Sequence, residues 1–167
     1  MAAAKKISRD DPRAAYIART TTVDRARLAD FVGDKHRWIL ATTRTDGRPQ
    51  LSPVTGAMIA SGELAISTYP ARAKAANVRR RPEASVMVMG AEFNDAWVQI
   101  DGTARVVDVP DAGDLFVAYY RAISGEHPDW DEYRQAMADQ GKCLIIVEPT
   151  RWGPVSTGGF PPSLFED

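Results

Sequence analysis

The chain has 167 residues, 44% hydrophobic and 26% charged, the composition of one globular domain long enough to bury a core. A net charge of −1 excludes binding that relies on a broadly basic surface, so any basic function is local. The single Cys143 excludes an internal disulfide and a cysteine-based zinc cluster, and the widely separated His36 and His127 argue against a histidine-rich metal site.

Residues 1–22 read as a polar, basic arm carrying Lys5, Lys6, Arg9, Arg13 and Arg19, and residues 23–167 as the folded domain. No apolar core of a secretory signal follows Met1, and no run approaches the roughly 18 apolar residues of a membrane span, so a cytoplasmic protein is expected. Thr22-Val23-Asp24 caps a short helix with Leu28, Phe31 and Val32 on one face, ending near Gly33. Trp38 to Thr43 reads as a strand, Asp46-Gly47 as a tight hairpin turn, and Pro49 to Met58 as the returning strand. After a turn at Ala60-Ser61-Gly62, a third strand covers Glu63 to Thr68.

Pro70 opens a helix at its first position, running to near Pro82. Ala84 to Met89 and Asp95 to Val107 are the fourth and fifth strands, with Gly102 read as a bulge. Pro110 opens a helical stretch bearing Leu115, Phe116, Tyr119 and Tyr120, broken at Gly125-Glu126-His127-Pro128. Asp129-Trp130-Asp131 caps a further helix reaching Met137, and Cys143 to Val147 is the last, buried strand. Six strands, mostly hairpin-linked, with few helices between them predict a mainly β (α+β) fold built on a small antiparallel barrel. Neither a Gly-x-Gly-x-x-Gly turn nor a Gly-Lys-Ser/Thr loop is present, so no dinucleotide fold or P-loop is supported.

The most informative stretch is Ser67-Thr68-Tyr69-Pro70-Ala71-Arg72-Ala73-Lys74. Arg72 and Lys74 fall at a helix start, where the dipole is already positive and no acid accompanies them. Free backbone N–H groups and two cations there suit a phosphate. The alternative is a solvated face. Ala71, Ala75 and Val78 form a narrow stripe that packs on a sheet, with the cationic stems snorkelling around it.

No histidine stands beside a serine in a nucleophile pattern, and no carboxylate pair is set up as an acid–base dyad, so no catalytic side chain is assigned. Chemistry carried by a cofactor remains. A planar ring is expected against Gln50-Leu51-Ser52-Pro53-Val54-Thr55, where Pro53 interrupts the strand ladder and frees backbone groups; an ordinary edge-strand proline is the alternative. Trp97 is either a ring-stacking wall or a core residue. Arg79-Arg80-Arg81 lacks the interleaved aromatics of a nucleic-acid site.

Trp38-Ile39-Leu40-Ala41-Thr42-Thr43-Arg44-Thr45-Asp46-Gly47-Arg48-Pro49-Gln50-Leu51-Ser52-Pro53-Val54, then Leu64 to Thr68, then Ala71 to Val86 with its Pro82 turn, follow one order of parts. That order resembles the pyridoxamine-phosphate-oxidase-like split β-barrel superfamily, over roughly residues 36–109. The separation of Arg72 and Lys74 by one residue, and the Asp129-to-Met137 segment, are similar to its deazaflavin (coenzyme F420)-dependent reductase branch of actinobacteria. FMN-using relatives more often place Arg and Lys side by side.

The resemblance implies a six-stranded antiparallel split barrel, and a homodimer holding the cofactor between subunits. It implies hydride transfer from reduced F420 to an unsaturated or quinone-like small molecule. Arg72 and Lys74, in the Ser67–Lys74 stretch with Ala73, would hold the phosphate with Thr68 and Asn77. Gln50, Ser52, Val54 and Thr55 would line the ring beside Pro53, with Trp97 facing the partner's ring. The basic arm with Lys5, Lys6 and Arg9 would meet the cofactor's acidic tail. Leu115 to Met137 and the Gly158–Pro162 tail would wall the substrate pocket. FMN in place of F420, and a carrier without turnover, share every one of these binding residues.

Overall fold

The turn at Asp46-Gly47 shows how local chemistry sets the architecture. In the computed structural model, which describes residues 6–166, Gly47 takes φ 84°, a left-handed conformation that glycine adopts without strain. The Arg48 N–H donates to Asp46 Oδ1 at 3.0 Å. This turn joins β2 (Arg37–Thr43) to β3 (Pro49–Met58) in a seven-rung antiparallel ladder, Arg37↔Thr55 to Thr43↔Pro49.

With β4 (Leu64–Thr68), β5 (Glu83–Met89), β6 (Trp97–Asp108) and β7 (Cys143–Trp152), these strands run in the order β6-β5-β2-β3-β4-β7, and β7 returns to β6. The result is the expected closed, six-stranded antiparallel barrel with flanking helices. Two-residue strands β1 (Thr20–Thr21) and β8 (Val155–Ser156) extend it beside the start of β6; they are too short to show a periodicity in sequence. The last strand runs past the expected Val147 to Trp152, through Pro149. The expected bulge is present: register shifts between Asp101 and Gly102. A Cβ at Gly102 would collide with the Glu148 carbonyl oxygen, so only glycine lets β6 cross β7 this closely.

Alternation along β2 and β5 sends Trp38, Leu40, Val86 and Val88 into the barrel, where they meet Ile66, Ile100 and Ile145. Helix α1 (Arg25–Val32), capped by Asp24 Oδ1 on the Arg27 N–H, closes one end with fully buried Leu28 and Val32. Helix α2 (Ala73–Arg80) closes the other with Ala75, Asn77 and Val78. Outside the barrel, α3 (Gly113–Ser124) and α4 (Trp130–Asp139) cover β4 and β7 through Phe116, Ala65, Leu144 and Ile146. Truncating a buried phenylalanine such as Phe116 costs about 3–5 kcal/mol. The outer faces of β2, β5 and β6, and of β3 before Thr55, receive no such cover, and Leu51 stands 66% and Trp97 38% exposed.

The residues before Thr20 run beside the C-terminal segment: Ile7 bridges Phe165 and Ile17 bridges Phe160. Lys6 Nζ donates to the Phe165 carbonyl and Arg9 Nε to that of Glu166, while Lys5 lies outside the described residues. No helix among the described residues is long and apolar enough to cross a membrane.

Candidate functional site

The barrel opens between β3 and β4. These strands pair only at Gly56↔Ile66, Ala57↔Ala65 and Met58↔Leu64, although β3 continues along β2 to Pro49 and β4 continues along β7 to Thr68. From Thr55 and Ser67 onward the two strands diverge into a fork. The Gly56 N–H donates to the His36 carbonyl, so even-numbered residues of β3 turn their backbone groups to β2 and odd-numbered ones turn theirs to the fork. Pro49 and Pro53 therefore present no N–H there, and Leu51 and Thr55 supply the free donors. Pro53 sits on an edge, where a missing donor breaks no ladder bond.

Tyr119 of α3 starts the fork. Its hydroxyl donates to the Thr55 carbonyl at 3.2 Å. Burial pushes the phenol up from its ordinary value, and the Ser67 backbone N–H, donating to its oxygen, pulls the other way. The Gly56↔Ile66 pair is the last of the ladder and turns the Ser67 N–H toward the Thr55 carbonyl; the Tyr119 hydroxyl joins that carbonyl where the pairing stops. Beyond it, Tyr133 is pushed up to about 12 by burial and by the neighbouring Tyr119 and Tyr120.

Above the fork the chain turns at Tyr69–Arg72, where the Arg72 N–H donates to the Tyr69 carbonyl, and enters α2 at Ala73. The helix thus begins three residues after Pro70, which is not its first position: Arg72, at ψ 140°, is the N-cap. Ala71 is exposed, and Asn77 takes its place on the buried face. The Ala75 and Ala76 N–H groups both return to the Arg72 carbonyl, leaving those of Ala73 and Lys74 without an intrahelical acceptor. No acid lies in the first turn, and the Arg72 side chain makes no capping bond. Neither Arg72 nor Lys74 has an ion-pair partner among the described residues. Lys142 Nζ lies 5.8 Å from the Tyr69 ring centroid, adding a third cation to this turn. It reaches the turn because Cys143 pairs with Thr68 across β4 and β7, a neighbour that no local pattern in the sequence reveals.

The ring-lining set divides between two faces of β3. Gln50, Ser52 and Val54 turn inward, with Ser52 only 8% exposed, while Pro53 and Thr55 turn outward. Thr68 is buried and Ser67 half-buried at the mouth of the fork. Asn77 is buried, with its Nδ2 on Thr42 Oγ1 and Gln50 Oε1 and its Oδ1 on Arg80. Arg79 bonds Asp108 and Arg80 the Thr43 carbonyl, so two of the three consecutive arginines are engaged within the chain.

Trp97 stands apart, with Met87, Met89 and Phe93 around an apolar hollow of about 270 Å³. α2 meets β6 at the other end of that 12-residue strand, where Arg79 bonds Asp108, a span of roughly 35 Å if straight. His36 Nδ1 lies 2.9 Å from the Gly56 carbonyl, and His127 packs among Tyr120, Trp130 and Tyr133. A concavity of about 620 Å³ lies at the other end of β2, lined by Lys35, His36, Arg37 and the loop after Met89.

Residues 25–156 match the family described as pyridoxamine 5'-phosphate oxidase. The chain belongs to that family. Among solved structures, the conserved hypothetical protein Rv2991 from Mycobacterium tuberculosis shares 26% identity with this family member, covering 81% of this chain and 86% of that one, with TM-score 0.67. An F420 reductase aligns at 20% identity over 74% of this chain and 94% of its own, with TM-score 0.55. HutZ, the heme storage protein from Vibrio cholerae, aligns at 18% identity over 80% and 95%, with TM-score 0.61. The last two show a shared fold.

Proposed function

We propose that this protein is a cytoplasmic oxidoreductase that binds coenzyme F420 in the fork and reduces an unsaturated or quinone-like small molecule. One observation carries the reading. At the open end of the fork, two cations without an ion-pair partner among the described residues, Arg72 and Lys74, accompany two backbone N–H groups without an intrahelical acceptor. That donor set fits a phosphate. An F420 reductase among the proteins of this fold supports the choice of cofactor, as does the single residue separating Arg72 from Lys74.

Arg72, Lys74 and the Ala73 and Lys74 N–H groups would hold the phosphate, with Thr68 at the mouth of the fork. Gln50, Ser52 and Val54 would line the ring, and the Leu51 and Thr55 N–H groups would meet its polar edge. Reduced F420, when bound, supplies a hydride. The chain's own contribution is to fix the angle and distance of approach, where proximity and alignment carry most of the acceleration.

The bare outer face of β2, β5 and β6, and of β3 before Thr55, with exposed Leu51 and Trp97, favours a homodimer in which Trp97 borders the partner's cofactor. An apolar face of this kind marks a contact surface. The test is a titration of purified protein with F420 and with FMN, followed by absorbance-monitored oxidation of reduced F420 against quinones, enones and tetrapyrroles. Tight F420 binding with turnover is expected. Tighter FMN binding would reassign the cofactor, and tight binding without turnover on any acceptor would make the protein a carrier.

A further inference from the structure

We infer that Arg80, acting through Asn77, fixes the side-chain amide of Gln50 as a hydrogen-bond donor toward the bound molecule, so that the ligand atom facing Gln50 is an acceptor. The inference rests on the reading of the fork as a cofactor site.

A carboxamide carries an acceptor at one end and two donors at the other, and the network around it decides which way it faces. Here the network is anchored on a group with only one polarity. A guanidinium donates and never accepts. Arg80 Nη2 donates to the Thr43 carbonyl at 2.9 Å and to Asn77 Oδ1 at 2.7 Å, so the oxygen of Asn77 faces Arg80. Its nitrogen then faces the strands, donating to Thr42 Oγ1 at 3.0 Å and to Gln50 Oε1 at 2.8 Å. Gln50 is thereby turned with its oxygen toward α2, and its Nε2 donates to no other described residue. No buried side-chain nitrogen or oxygen among the described residues lacks a partner. The free Nε2 is therefore open to solvent, on the face of β3 shared with Ser52 and Val54.

The relay crosses three elements. Arg80 and Asn77 lie one turn apart on α2, Thr42 and Thr43 end β2, and Gln50 begins β3. Asn77 is 6% exposed, so its own polar atoms are committed to setting this direction. Arg80 and Asn77 are positioning residues, and Gln50 is the group that reads the ligand.

Asn77→Asp keeps the shape and reverses the relay. One carboxylate oxygen still accepts from Arg80, but the other also accepts, so Gln50 must turn Nε2 inward and present its oxygen to the ligand. In a fluorescence titration the dissociation constant for F420 should rise about tenfold, the equivalent of one hydrogen bond. Gln50→Glu, on a half-exposed strand position, keeps an acceptor for Asn77, removes the donor, and should do the same even where Asn77→Asp does not fold. Thr42→Val leaves the relay intact but strands one Asn77 N–H; it should lower the melting temperature while leaving the dissociation constant within about twofold.

The direct signature is spectroscopic. In a nitrogen–proton correlation spectrum the Gln50 side-chain NH2 pair should shift when F420 is added to the wild type and stay in place in Asn77→Asp. F420 binding at wild-type strength in both Asn77→Asp and Gln50→Glu, or an affinity loss in Thr42→Val as large as theirs, would overturn the relay. A wild-type protein that binds neither F420 nor FMN would overturn the cofactor reading itself, and the relay with it.

Discussion

Replacing Arg72 and Lys74 together by alanine separates ligand affinity from fold stability. Charge-assisted hydrogen bonds are each worth about 1.5–3 kcal/mol. Arg72 is exposed and Lys74 half-buried, so water screens them and the lower end applies. Together they contribute about 3 kcal/mol, a rise of roughly a hundredfold in the F420 dissociation constant. Stability should move differently. Neither side chain bonds another residue in the described chain, and each stands where the helix dipole disfavours a cation by about 0.3–1 kcal/mol. The double variant without ligand should therefore unfold in urea at the same concentration as the wild type, or slightly higher. Isothermal titration gives the first quantity and denaturant titration the second. An unchanged dissociation constant would refute the phosphate assignment. A large loss of stability would mean that these side chains serve α2 rather than a ligand.

Tyr119→Phe removes the hydroxyl that bonds the Thr55 carbonyl at the start of the fork; F420 affinity should fall as the fork loses this anchor to α3, while stability changes by about 1 kcal/mol in denaturant titration. If the bare face is the proposed dimer interface, Leu51→Asp should be monomeric in light scattering where the wild type is dimeric, and a variant still dimeric at micromolar concentration would exclude that face as the interface. Glu63 tests the pH dependence. The Arg105 guanidinium, 2.6 Å away, holds its carboxyl below the usual carboxylate range. A depressed folded value means the stabilisation is present above the ordinary carboxylate pKa and is lost as pH falls through the depressed one. Glu63→Gln should flatten that acid limb in thermal melts measured across it. Gly56→Ala would drive a Cβ into the buried Trp38 ring and should cost about 1–3 kcal/mol.

Much of the barrel was legible because its signals are local. The Asp46-Gly47 turn acts on immediate neighbours, and Gly102 reads as a break within its strand, although the Glu148 carbonyl oxygen that requires glycine there comes from β7. α2 starts after Pro70 rather than at it because proline preference marks a first helical position only when the next residues are already helical, and here Tyr69 to Arg72 form a separate turn. Asn77 entered the buried face in place of Ala71 because its amide is satisfied by Thr42, Gln50 and Arg80, residues that meet it only after the barrel closes. Tyr119 showed only helical spacing; its contact with Thr55 spans 64 positions. Lys142 likewise depends on the pairing of β4 with β7. Long-range partners carry no short-range trace.

Pro49 and Pro53 also bear on how the protein avoids its own kind of failure. An open strand margin invites other extended chains to zip onto it, the first step toward filaments. Removing every second donor along that margin leaves too few contacts for a stray peptide to hold, yet enough for a flat molecule that needs one or two. Valine at both places would turn a docking notch into a seed for fibrous aggregation.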